Sequence, residues 1–185
     1  QTVTLAPGGA ASVQHDLTVK GAGAAGWRSI LQSSDNRRER LTSGWGAQFP
    51  GLIVDDIKAP TLGDVLQPVR LTSRWEVPSW AQAQGEGLRF LALGHRTGLT
   101  RSIAGQAKRE HDLVLSASST EDNQTEYVLP KGWKIAQSPA PRQIDTPLAL
   151  FRLEVTAEGE RATVKTHLEY RKSRFTPAEY RALRD

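Results

Sequence analysis

The 185-residue chain contains no cysteine and no methionine. Without cysteine there is no thiol nucleophile, no thiolate metal site and no disulfide. That lack leaves the compartment open, because a cysteine-free chain suits reducing and oxidising surroundings alike. Without methionine there is no initiator residue; the chain opens at Gln1 and enters the strand-like Thr2-Val3-Thr4-Leu5, with no basic stretch and apolar signal core ahead of it. A fragment is therefore expected, either a processed protein or a domain of a longer one. No apolar run approaches the roughly 18 residues of a membrane-spanning helix, so membrane insertion is not expected. A strong field of one charge is missing too: 24 Lys and Arg stand against 20 Asp and Glu, for a net charge of +4. The densest basic stretch is Arg171-Lys172-Ser173-Arg174, followed by Arg181 and Arg184. Nucleic-acid binding asks for tighter clustering, so no nucleic-acid partner is expected, and the stretch reads as a solvated strand end and helix face.

What the chain does have is 16 glycines and 10 prolines in a composition that is 38% hydrophobic. That describes a globular, loop-rich domain large enough to bury a core without staples. Val13, His15, Leu17 and Val19 alternate with polar neighbours, the period of a half-buried strand. Thr2–Leu5 precedes it across Ala6-Pro7-Gly8-Gly9, which predicts a hairpin. Ala24, Trp27, Ile30 and Leu31 follow at helical spacing. A second helix is predicted with Ser34 or Asp35 at its start and Leu41, Trp45 and Phe49 every fourth residue, ending at Pro50-Gly51. Leu52–Ile57 reads as a short strand. Val69, Leu71, Ser73, Trp75 and Val77 form one face of a long amphipathic strand. Leu88–Leu93, Asp112–Ser116 and Thr125–Leu129 are further strand candidates. Phe151, Leu153 and Val155, then Val164, Thr166, Leu168 and Tyr170, alternate on either side of Glu158-Gly159, the pattern of an antiparallel hairpin. Thr176-Pro177-Ala178-Glu179 reads as a capping box that opens a short terminal helix.

The sum is a mainly β chain: an antiparallel β-sandwich with a helical hairpin in its first half and a short C-terminal helix. A boundary near Ala59-Pro60 would set a hairpin subdomain, residues 1–60, beside a sandwich domain, residues 61–185, unless the two are one continuous unit.

Candidate chemistry is thin. Gly21-Ala22-Gly23-Ala24-Ala25-Gly26 matches G-x-G-x-x-G and lies between a strand and a helix. The preceding strand looks like half of a hairpin, whereas a dinucleotide site needs parallel βαβ units, so a tight turn that requires small residues accounts for it better. The histidines at 15, 95, 111 and 167 are too scattered for a local metal motif. Asp55-Asp56 would point to opposite faces of a strand and make poor acid–base partners. No cofactor, no metal and no catalytic residue is expected. Trp75 belongs to an apolar strand face, while Trp80 and Trp133 sit among Pro and Gly and would be freer to meet a ligand.

The string Tyr127-Val128-Leu129-Pro130-Lys131-Gly132-Trp133-Lys134-Ile135, then Pro139 and Pro141, the hairpin around Gly159, and Phe175-Thr176-Pro177-Ala178-Glu179-Tyr180 together resemble the C-terminal region of large bacterial transglutaminase-like proteins. The opening hairpin, Gly21, a helix holding Arg28 and a second helix are similar to the segment that follows the catalytic core there. The resemblance spans nearly the whole chain through short motifs. It implies a papain-like core upstream, whose cysteine–histidine–aspartate arrangement attacks acyl groups through a thiolate. With no cysteine here, no nucleophile carries over to any position. The chain would be the core's non-enzymatic companion in the bacterial periplasm or cell envelope, with that core or an envelope protein as its partner.

Two rivals differ in class. A free-standing adhesion or carbohydrate-binding module would stack sugar on Trp80 and Trp133, with Arg171, Lys172 and Arg174 as the remaining partner-binding residues and Arg171 and Arg174 meeting acidic groups. A cysteine-independent hydrolase would gather His95 or His111 with a serine and a carboxylate.

Overall fold

A computed structural model of the chain describes residues 1–92, 103–115 and 117–184. The protein is mainly β, with a helical hairpin in its first half and a C-terminal helix, as the hydrophobic periods predict. The strands are β1 (Thr2–Leu5), β2 (Ala11–Val19), β3 (Ile53–Lys58), β4 (Val69–Val77), β5 (Gln82–Gln84), β6 (Gly87–Arg89), β7 (Leu113–Val114), β8 (Ser119–Val128), β9 (Arg142–Asp145), β10 (Ala149–Glu158), β11 (Arg161–Tyr170) and β12 (Arg174–Phe175). Among the described residues, the helices are α1 (Ala22–Leu31), α2 (Ser34–Gly46) and α3 (Pro177–Arg184).

Contacts divide the chain into two compact units. The first holds residues 1–91, 126–135 and 157–162; the second holds 92–125, 136–156 and 163–185. Pro60 lies in the loop between β3 and β4, within the first unit. The reason is pairing: β4 is hydrogen-bonded to β2 along its whole length, from Ala11↔Val77 to Val19↔Val69, and to β3 on its other side.

In the first unit the hydrogen-bonded order is β3-β4-β2-β1, continued by the ends of β8 and β11. The expected β1–β2 hairpin is present, with Thr2↔Gln14 to Leu5↔Ala11 in register. The sheet is mixed rather than wholly antiparallel, because β1 runs parallel to β8 (Thr2↔Glu126, Val3↔Tyr127, Thr4↔Val128). Of the two neighbours of β1, only β2 is constrained by a short loop; β8, whose paired residues lie 124 positions further along (Thr2↔Glu126), is free to pair in either sense.

β4 alternates as the sequence predicts: Val69, Leu71, Ser73, Trp75 and Val77 are buried, and the residues between them face outward or are half-buried. Trp75 is 2% exposed, and its indole N–H donates to Ser73 Oγ at 2.9 Å, which satisfies both buried polar atoms. His15, on the apolar face of β2, lies stacked on Trp75 with ring centroids 4.5 Å apart and meets Trp45 of α2 edge-on at 5.0 Å. Trp45 also lies 4.4 Å from Trp75, and Phe49 lies 6.2 Å from it. The four-residue spacing of Leu41, Trp45 and Phe49 therefore works as expected, with Leu41 and Phe49 buried. Phe49 lies one turn past α2, held by a bond from its N–H to Trp45 O at 3.1 Å.

Gly21 precedes α1 at φ 61°, ψ −145°, a conformation open to glycine alone. The β2 strand before it is antiparallel to both its neighbours. The glycine-rich run is therefore a strand-to-helix turn and lacks the parallel unit that a dinucleotide cradle needs.

The second unit continues with β8, β11, β10 and β9 in hydrogen-bonded order. Its core gathers Ala104, Leu113, Leu148, Tyr170, Phe175 and Tyr180. The β12–β7 ribbon (Arg174↔Val114, Phe175↔Leu113) carries Phe175 into that core, where it is fully buried.

Trp75→Ala removes the ring on which His15, Trp45 and Phe49 converge. A loss of about 3–5 kcal/mol is expected in urea unfolding followed by circular dichroism. Trp133→Ala, at a half-exposed turn residue, is expected to change stability by no more than about 0.5 kcal/mol. Equal losses for the two variants would contradict this packing.

Candidate functional site

The residues expected to meet a partner fall in two places. Arg171 and Lys172 occupy the link between β11 and β12 in the second unit, and Arg174 opens β12. This link is short because Tyr170 and Phe175, on either side of it, both turn into the core, leaving the basic side chains at the surface.

Each of these cations has an acidic partner. The Arg171 guanidinium lies 2.9 Å from Asp145 Oδ1 and 3.7 Å from Glu169 Oε2, and it also donates to the carbonyl of Thr146. The backbone N–H of Arg171 donates to Leu148 O at 3.0 Å. Together these bonds fasten the β9–β10 turn. Arg174 Nε donates to Asp112 Oδ2 at 2.6 Å, beside β7. Lys172 Nζ donates to Glu179 Oε1 at 2.5 Å and stands 5.7 Å from the centroid of the Phe175 ring.

Glu179 also completes the expected capping box. Its Oε2 accepts from the Thr176 N–H at 2.9 Å and from the Thr176 hydroxyl at 3.1 Å, and its own N–H faces Thr176 Oγ1 at 3.4 Å. The Lys172 ammonium first, and then the Thr176 N–H, hold the Glu179 carboxyl below its ordinary value of 4.5. The helix so capped places Tyr180 in the core at 1% exposure. The Tyr180 hydroxyl donates to Gln106 O at 2.6 Å, and the Arg109 guanidinium lies 5.0 Å from the Tyr180 ring centroid. The cations read as a binding patch are thus joints between the C-terminal helix, β7 and the β9–β10 turn.

The tryptophans part company. Trp133 is half-exposed on the turn Pro130–Trp133, with its N–H donating to Pro130 O at 3.0 Å. Trp80 is a correction. It is 9% exposed, and its face is stacked on Phe49 at 4.7 Å and 10°, with Tyr127 edge-on at 6.4 Å. A ring whose face is taken up by protein offers no platform to a sugar. The Pro and Gly around Trp80 in the sequence mark a turn that brings the ring inward.

The histidines are equally domestic. His15 lies among tryptophans, as its place on an apolar face predicts. His167 Nδ1 lies 2.7 Å from Asp122 Oδ1 on the wet face of β11 and β8. His111 is exposed, and His95 lies outside the described residues. Among the described residues, no three His, Asp or Glu side chains gather as a metal site would need.

One arrangement escapes sequence reasoning. β3 bulges against β4: the register passes from Asp55↔Arg74 to Lys58↔Thr72, and Asp56 takes φ 47°. The extra residue breaks the strict alternation that would send Asp55 and Asp56 to opposite faces. Both instead line an open recess of about 450 Å³ with Ser34, Arg37, Arg38, Ile57 and Lys58. Arg38 pairs with Asp55 at 2.6 Å and Lys58 with Asp56 at 3.3 Å. Arg37 Nε donates to Leu31 O at 2.9 Å. Aspartate tolerates the left-handed region better than most residues, and a doubled aspartate inside a short strand is the signal that would have found the bulge. Ile57 is the single aliphatic residue on the wall, so the recess differs from the mostly apolar pockets that hold small molecules.

Residues 91–185 match the family described as "Domain of Unknown Function with solved-structure structure (DUF3858)". The chain belongs to the DUF3858 family. The match takes in the whole second unit together with residues 126–135 and 157–162 of the first. No curated protein and no solved structure matches the chain. The capping box, the Lys172–Glu179 pair and the Arg174–Asp112 pair all lie within the family region.

A pH prediction follows from Glu179. Its carboxyl is easier to ionise in the folded chain than in the unfolded one, so its stabilising effect is complete above the ordinary glutamate value. The effect fades as pH falls through the lower folded value. In urea unfolding, wild type is expected to exceed Glu179→Gln in stability at pH 7, with the gap closing towards pH 3. A gap that stays constant or widens on acidification would contradict the capping geometry.

Proposed function

We propose that this DUF3858 chain is a non-enzymatic accessory domain, carried beside a transglutaminase-like, papain-like catalytic core in a bacterial cell-envelope protein. The reading is supported by the motifs that resemble the C-terminal region of such proteins. The structure explains those motifs as architecture. Tyr127 and Leu129 are core residues, Gly132 turns at φ 81°, and Thr176-Pro177-Ala178-Glu179 caps the helix that plugs the second core with Tyr180. The observation that carries the proposal is the pairing of the basic link. Arg171, Lys172 and Arg174 each bind a carboxylate of the same unit, so the polar groups that stand out in the sequence have structural work. The partner in this reading is the core itself or another envelope protein, and the domain's task is to orient the core or shape access to its cleft.

Two measurements test it. Purified chain incubated with glutamine-donor and amine substrates, and with peptides, is expected to show background turnover only. Activity that tracks the protein through successive purification steps would overturn the non-enzymatic reading. The full coding sequence is expected to place a domain with a catalytic cysteine, histidine and aspartate upstream. A coding sequence without one would remove the transglutaminase-like assignment.

A further inference from the structure

Thiols and thioethers are the side chains that oxidants usually attack first. This chain has neither, since it contains no cysteine and no methionine. Its most readily oxidised groups are therefore the indoles of its five tryptophans and the phenols of its three tyrosines. Three of the tryptophans stand in series within the first unit. Trp75 of β4 is 2% exposed. Its ring centroid lies 4.4 Å from that of Trp45 on α2, and Trp45 lies 6.3 Å from Trp27 on α1. Trp45 and Trp27 are both half-exposed. The series thus runs from the core to the surface. A branch reaches Trp80 through Phe49, whose ring lies 6.2 Å from Trp75 and 4.7 Å from Trp80. Such separations put neighbouring rings in or near contact. Electron exchange between like rings falls steeply with distance and is fastest at contact.

Two features give the series a direction. The first is burial. An indole that has lost an electron is a cation, and a site shielded from water disfavours the charged form. The missing electron therefore costs more on Trp75 than on Trp45 or Trp27. The second is the fate of the indole proton. The N–H of an oxidised indole is strongly acidic, and its loss traps the radical where it stands. The Trp75 N–H donates to the Ser73 hydroxyl at 2.9 Å. Ser73 is 1% exposed, and a buried hydroxyl is a poor base. His15 is stacked on the face of Trp75 at 26°, whereas the N–H points to Ser73. The proton therefore stays on Trp75, and the oxidation moves outward. Trp27 is in reach of water, which takes the proton and ends the transfer there.

We propose that Trp75, Trp45 and Trp27 form a relay that carries one-electron oxidation from the core of the first unit to Trp27. The oxidant is a one-electron radical of the oxyl or azidyl class, which takes an electron from a ring of the series and leaves as its anion. Trp45 then gives an electron to Trp75, Trp27 gives one to Trp45, and the Trp27 N–H proton passes to water. A small reductant of the ascorbate class returns one electron, water returns the proton, and the indole is restored. The activity is the removal of oxidising radicals, and it stands apart from the accessory-domain reading.

The test is limited oxidation of the 185-residue chain by azidyl radicals, which abstract electrons rather than add to rings, with the tryptophan products mapped by peptide mass spectrometry. Trp133 is the internal control. It is half-exposed like Trp27, and among the described residues no ring contact joins it to the series. Trp27 is expected to gather several-fold more product than Trp133, and Trp75 almost none. In Trp27→Phe the yields at Trp45 and Trp75 are expected to rise several-fold while that at Trp133 stays the same. Equal yields at Trp27 and Trp133 in the unaltered chain would overturn the relay, because exposure alone would then set the pattern. That comparison needs no substitution, so it decides the matter even where the variant folds poorly. Yields at Trp45 and Trp75 that are indifferent to Trp27→Phe in a folded variant would overturn it too.

Discussion

The parallel pairing of β1 with the end of β8 is the constraint on which the first unit depends. β1 is four residues long and joins the β2–β4–β3 ladder on one side to Glu126–Val128 on the other. Tyr127 arrives through this pairing at 1% exposure, with Phe90 at 4.8 Å and Trp80 at 6.4 Å from its ring. Its hydroxyl donates to Leu91 O at 3.4 Å. Burial pushes its ionisation well above the ordinary phenol value, so it stays a neutral donor across the physiological range. The β10–β11 turn is drawn in beside it. Leu129 N–H donates to Glu160 O at 2.8 Å, Gly132 N–H donates to the Glu160 carboxylate at 2.5 Å, and Arg161 pairs with Glu126. A unit assembled from three separated stretches of chain closes only after long loops have been brought together, which is characteristic of slow folding.

The polar surface repeats one theme, which is closure upon itself. Each end strand of the ladder is blunted. β3 is bent by its bulge at Asp55–Lys58, and β9 is four residues long with Pro141 before it and Pro147 two residues after it. Bulges, short edges and prolines all discourage edge-to-edge pairing. The basic link after β11 is tied to Asp145, Glu179 and Asp112. Pairs at this level of exposure add little to stability. Their effect here is geometric, since they fix the terminal helix and the β9–β10 turn.

Much of this architecture was legible in the sequence because it rests on local rules. The period-two faces of β2, β4, β10 and β11, the helical spacing of Leu41 and Trp45, and the Thr176–Glu179 box all depend on neighbours within a few residues, and all appear in the structure. What was not legible depends on distant chain. The first half of β8, Ser119–Asn123, carries no apolar alternation because it lies on polar ground, exposed or half-buried throughout. Its strand character comes from pairing with other strands rather than from its own residues. Trp80 reads as a loop residue until Phe49 and Tyr127 are brought to it. The division into units follows hydrogen-bonded ladders, which no composition change at Pro60 reveals. Of the candidate site, the residue types were visible, but partners such as Asp112, 62 positions from Arg174, were not.

The central claim is that residues 126–135 are an integral part of the first unit, although 34 residues of the second unit precede them in the sequence. The most direct test is to express residues 1–92 alone and compare their amide spectrum and urea unfolding with those of the whole chain. The account predicts a poorly dispersed spectrum and loss of cooperative unfolding, both recovered when the peptide 124–135 is added. A fragment 1–92 with native dispersion and undiminished stability would contradict it.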